Sequence, residues 1–167
     1  ASDLVHAIAE FADAPAMSDQ GRTISYSKLE QFVKSLRTHL DTPQIVGIFG
    51  SPGVAMAASA VACVIHGRPF VHLDPAMPQM VLHNIISELH VSLVITCQTA
   101  ATGHLPRDCT TLDANALLND TPHSPKPLKA TNVLPDDPIY LVATSGTTGR
   151  PKCIPVSQDA AYLSYDW

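Results

Sequence analysis

The stretch IVGIFGSPGVAMAASAVACVI, positions 45–65, decides the fold, and it holds no charged side chain. An uncharged run of this length raises the question of a membrane-spanning helix, which needs about 20 apolar residues. Gly50, Ser51, Pro52 and Gly53 interrupt it near the middle. Glycine and proline punctuate local structure, so the run reads as a strand over residues 45–49, a tight turn, and a buried helix reaching about His66. The near-continuous apolarity of the strand is that of a parallel sheet covered on both faces. Ser51 and Pro52 are expected as N-cap and first helical residue, with Gly67 as the C-terminal cap.

The pattern repeats on the carboxyl side. Residues 69–73 (PFVHL) form a second short strand. Asp74, Pro75 and Pro78 then turn the chain into a helix with Val81, Ile85 and Leu89 on one face. Residues 92–96 (SLVIT) make a third strand, and alternating strands and helices predict an α/β fold with a parallel-rich sheet flanked by helices. On the amino side, Leu4, Val5, Ile8 and Phe11 have the spacing of one helical face. Residues 23–26 (TISY) are β-prone. Ser27-Lys28-Leu29-Glu30 matches a capping box ahead of an apolar stripe at Leu29, Phe32, Val33, Leu36 and Leu40. Beyond Cys109 the composition changes: five prolines fall within residues 122–138, so about 119–138 reads as a stiff crossover inside one domain.

The 167 residues carry 10 Lys+Arg against 15 Asp+Glu, a net charge of −5, with 46% hydrophobic and 15% charged residues. This balance excludes a basic nucleic-acid binder and a disordered chain, and 5% aromatics argue against a base-stacking surface. The residues 1–11 include Asp3 and Glu10 and no basic run, unlike a signal peptide. Cys63, Cys97, Cys109 and Cys153 form no CxxC pair, which points to reduced, mostly buried thiols in a cytoplasmic protein. His83 and His90 share a helical stripe and read as surface residues.

The chemistry lies further on. A buried strand over residues 139–143 (IYLVA) runs into Thr144-Ser145-Gly146-Thr147-Thr148-Gly149-Arg150-Pro151-Lys152. Gly146 and Gly149 let backbone amides approach an anion without a Cβ in the way. The hydroxyls of Thr144, Ser145, Thr147 and Thr148 are potential donors to phosphate oxygens, and Lys152 adds a point charge. A Walker A loop would need GxxxxGK followed by Ser or Thr and a helix. Here Cys153-Ile154-Pro155-Val156 reads as a second strand, so the loop sits at a strand–strand turn.

TSGTTGRPK, residues 144–152, resembles the phosphate-binding loop of the adenylate-forming (AMP-binding) enzymes, among them acyl-CoA synthetases, peptide-synthetase adenylation domains and luciferases. Two further segments agree in order. ISYSKLEQ (24–31) resembles the family's early Leu-Thr-Tyr-x-Glu-Leu segment, and HGRPFVHLDPAMP (66–78) its Tyr-Val-Pro-Leu-Asp-Pro segment. The likeness covers nearly the whole chain, and the Leu-Asp-Pro-x-x-Pro form and the ending SQDAAYLSYDW are most similar to D-alanine–carrier-protein ligases and amino-acid adenylation domains. Three positions depart: Cys153 stands for the usual glycine after the loop lysine, Gln158 for a histidine, and His72 for a proline.

The resemblance implies attack of a carboxylate, foremost an amino acid, on the α-phosphorus of ATP, then transfer of the acyl group to the thiol of phosphopantetheine or CoA. Thr144, Ser145, Gly146, Thr147, Thr148, Gly149 and Lys152 would hold the β- and γ-phosphates with a bridging Mg²⁺, and Lys152 would serve catalysis. No residue is assigned as a direct metal ligand. The implied partners are the acid substrate, a carrier protein and the remainder of the adenylation domain, with no nucleic acid and no membrane. The family's acid, adenine, ribose and catalytic-lysine segments lie downstream of this loop, so residues 1–167 are expected to be an N-terminal portion of the domain and inactive alone. The alternatives are an acyl- or aryl-CoA ligase of the same superfamily, a non-catalytic interaction module, and an unrelated phosphate-binding domain.

Overall fold

The computed structural model describes residues 1–19, 21–97, 103–119, 126–144 and 152–164. Its centre is the strand β3 (Val46–Phe49), with every residue buried. Before it come α1 (Ser2–Glu10), the antiparallel pair β1 (Pro15–Asp19) and β2 (Arg22–Ser25), α2 (Tyr26–Ser35) and the short α3 (Arg37–Leu40). After it follow α4 (Val54–Ile65), β4 (Phe70–Leu73), α5 (Gln79–Glu88), β5 (Leu93–Thr96), β6 (Thr110–Asp113), α6 (Ala114–Asn119), β7 (Pro138–Thr144), β8 (Lys152–Ser157) and α7 (Gln158–Leu163).

The large sheet has the order β6-β5-β3-β4-β7-β8. All its pairs are parallel except the last, where β7 and β8 form an antiparallel hairpin. The fold is therefore the α/β arrangement read from the sequence. Helices cover both faces. One core joins α1, α2, α4 and α6 to β3 through Phe32, Leu36, Ile48, Ala58 and Leu118. The other joins α5 to β3, β4, β5 and β7 through Phe49, Val71, Leu82, Ile85, Val94 and Leu141. Among the described residues no helix is long and apolar enough to cross a membrane.

Several expectations need correction. The helix after β3 does not start at Ser51-Pro52: Gly53 is the N-cap, and the Asp19 carboxylate accepts from the Val54 amide at 2.6 Å. The cap comes from β1, across the fold, so no local signal announces it. The capping box at Ser27–Glu30 is also displaced. Ser25 caps α2, accepting from the Lys28 amide at 3.3 Å, because β2 runs on until Ser25. Glu30 instead pairs with Lys34 at 2.8 Å. On α5 the buried residues are Leu82, Ile85 and Ile86, with Val81 and Leu89 at the margins. His90 lies past that helix with φ 51°, so it does not share a stripe with His83. Two thiols, Cys63 and Cys97, are buried; Cys109 and Cys153 are half-buried, and all four are free. Residues 139–143 are less enclosed than expected: only Leu141 is buried, and Val142 is 43% exposed.

The crossover is held where it passes the end of α4. The Thr131 amide donates to the Ile65 carbonyl at 2.8 Å. Gly67 turns beneath it with φ 63°, and a Cβ there would lie 3.0 Å from side-chain carbons of Thr131 and Val133.

Candidate functional site

In parallel α/β sheets ligands collect beyond the carboxyl ends of the strands. β7 runs parallel to β4, with Phe70 opposite Tyr140 and Val71 opposite Leu141. Its last residue, Thr144, therefore opens onto that carboxyl edge. β8 returns from it in register, pairing Thr144 with Lys152, Ala143 with Cys153 and Val142 with Ile154. The hairpin neck is thus built from the first and last residues of the nine-residue loop. Thr144 Oγ1 donates to the Lys152 carbonyl at 3.2 Å and closes the neck. The Lys152 side chain is exposed there. Of the loop residues identified from the sequence, Ser145, Gly146, Thr147, Thr148 and Gly149 lie outside the described residues.

The two faces of the hairpin differ. Leu141, Ala143 and Cys153 pack into the core beneath α5. Burial, with the Glu88 carboxylate as a smaller cause, pushes the Cys153 thiol up from its ordinary value. It serves as a packing group of this core. On the opposite face Phe70 and Tyr140 set their rings 6.0 Å apart. Beyond them Val142 and Ile154 stand 43% and 52% exposed.

One contact at this edge escaped the sequence reading. His72 Nε2 donates to the Gly50 carbonyl at 2.7 Å and joins the carboxyl ends of β3 and β4. The only local signal was a histidine where the resemblance has proline. Gly50 itself is confined, since a Cβ there would meet the Cys97 Cβ at 2.7 Å. Next to it, Asp74 closes the turn after β4 by accepting from the Ala76 amide at 2.8 Å. The edge around the loop is therefore braced by β3, β4 and β5 together. Among the described residues no group of three or more His, Cys, Asp or Glu side chains converges to hold a metal ion.

Comparison with known proteins agrees with this architecture. The profile of the family described as AMP-binding enzyme matches residues 4–166. A D-alanine–D-alanyl carrier protein ligase of Lactiplantibacillus plantarum is 30% identical over 154 residues, covering 89% of this chain and 30% of that ligase. Surfactin synthase subunit 3 of Bacillus subtilis is 26% identical over 149 residues, 84% of this chain and 11% of that subunit. The solved structure of a nonribosomal peptide synthetase with α-methyl-L-serine-AMP bound superimposes with a TM-score of 0.80 at 22% identity, covering 98% of this chain and 18% of that one. The chain thus spans less than a third of each of these three proteins. With its sheet, its hairpin and a family match over nearly its whole length, the chain belongs to the AMP-binding enzyme family.

Proposed function

We propose that this chain supplies the ATP polyphosphate grip of an enzyme that activates a carboxylic acid, foremost an amino acid, as an acyl-adenylate. The activated acid then passes to the thiol of phosphopantetheine on a carrier protein, or of CoA. The observation that carries the proposal is the loop motif itself, TSGTTGRPK, mounted on a hairpin at the carboxyl edge of a parallel sheet. The ligase and synthetase relatives support the choice of an amino acid and a carrier protein.

In this reading the acid's carboxylate oxygen forms a bond to the α-phosphorus of ATP while the bond to the bridging oxygen of pyrophosphate breaks. The first task of the protein is to hold a highly charged leaving group in line. Lys152, the hydroxyls of Thr144, Ser145, Thr147 and Thr148, and the backbone at Gly146 and Gly149 do this. A Mg²⁺ ion bound with the polyphosphate would offset part of its charge. Thr144 exchanges its neck hydrogen bond for one to phosphate. The parts that bind acid and adenine belong to the remainder of the adenylation domain, so residues 1–167 alone are inactive.

The test is ATP–pyrophosphate exchange by the longer protein that contains this chain. Lys152→Ala is expected to lower the exchange rate by about 10²-fold, the loss typical of one charge-stabilising donor, while circular dichroism stays unchanged. An unaltered rate removes Lys152 from the site. Turnover by the 167 residues alone refutes the division of labour proposed here.

A further inference from the structure

At the opposite edge of the sheet, where β4 begins, a polar cleft of about 110 Å³ is lined by Lys34, Arg37, Asp41, His66, Lys126 and Lys129. Four of the chain's 10 Lys and Arg residues thus gather at one small opening of an acidic protein. Lys34 is paired with Glu30 at 2.8 Å. Arg37, Lys126 and Lys129 make no ion pair with any described residue, so three cations face the cleft against the single carboxylate of Asp41.

The arrangement is held in place. Leu128 packs against the core between Lys126 and Lys129, and Pro127 stiffens the same segment. Thr131 is tied to the end of α4 through the Ile65 carbonyl. Arg68 fastens the far side, donating from Nε to the Leu40 carbonyl at 2.6 Å and from a terminal nitrogen to the Asp41 carbonyl at 2.9 Å. At the base lies His66, only 7% exposed, its Nε2 donating to the Val33 carbonyl at 2.9 Å. Its other ring nitrogen has no hydrogen-bond partner among the described residues.

We propose that this cleft is a second anion site, sized for a phosphoryl group and held by Arg37, Lys126 and Lys129 above His66. It is separate from the hairpin loop, which leaves the other end of the strands. The mutual repulsion of like charges around a recess is relieved by an oxyanion, and a guanidinium with two ammonium groups suits a tetrahedral one. Burial lowers the His66 pKa, with Arg37 and Arg68 adding to the effect and the Val33 carbonyl and Asp41 opposing it. A bound anion would raise it, which makes the imidazole a local reporter.

The experiment titrates the full chain with inorganic phosphate, and separately with pyrophosphate, at constant ionic strength, following the His66 ring resonances. A saturable shift with either probe is expected. Lys126→Ala combined with Lys129→Ala should weaken it by about tenfold, the sum of two exposed charge contacts. Arg37→Ala, made separately, should weaken it as well. Lys152→Ala should leave the His66 response unchanged, so failure of this site and failure of the hairpin loop are told apart. No movement of His66 with either anion, or movement undiminished in the double variant, overturns the proposal.

Discussion

His66 couples the helical layer to pH. The folded chain holds its imidazole below the usual 6.5, with burial as the main cause. An unfolded chain takes up that proton more readily, so the folded state is penalised as the medium is acidified. The contribution is intact above about pH 6.5 and is lost as pH falls from there through the depressed folded value. His66→Gln keeps a donor for the Val33 carbonyl without titrating. Urea midpoints of the wild type between pH 7.5 and 5.5 are expected to fall more steeply than those of the variant. Gly50 offers a second residue-level prediction. A methyl group there would press on Cys97, whose own backbone is fixed by a 2.7 Å hydrogen bond from its amide to the Phe49 carbonyl. Gly50→Ala should cost about 2 kcal/mol or more, the range of overpacked core sites, measured as a change in unfolding free energy.

At the scale of elements, α4 depends on a cap it does not encode. Asp19 reaches it from β1, so Asp19→Ala should lower stability by about 1–2 kcal/mol and Asp19→Asn by less. Thermal unfolding checks both. The same contact explains where sequence reading stopped. β3, α4, β4, α5 and β5 were legible because each is a buried run of matching period between glycine or proline breaks. β1, with the sequence PAMSD, has no apolar alternation and takes its form from pairing with β2. β6, TTLD, is polar and has no fully buried residue, as an edge strand permits. α6 was hidden for a related reason: only Ala114 and Leu118 of its six residues are buried. The candidate site was read as a motif, TSGTTGRPK, of which only the end residues Thr144 and Lys152 fall among the described residues. The brace between His72 and Gly50 was not, because strands 22 residues apart in sequence make it.

For the whole molecule, the open edge matters most. Among the described residues β8 has no strand on its outer side, and Val142, Ile154, Tyr162 and Leu163 are exposed around it. Pro155 lacks an amide proton and blunts that edge without covering the apolar surface. The 167 residues are expected to self-associate, and Ile154→Lys should shift sedimentation toward the monomer. If the chain acts within a larger adenylation domain, as proposed above, this same surface is where the remainder would pack.

The strand order also has a consequence for synthesis. β3 finds both of its neighbours within residues 46–96, whereas β7 must return to β4 after the whole crossover. On a ribosome the strands of the middle of the sheet are therefore synthesised before the β7–β8 hairpin has left the exit tunnel. That arm docks last onto a finished platform, and in deuterium exchange its amides should be the first of the sheet to open.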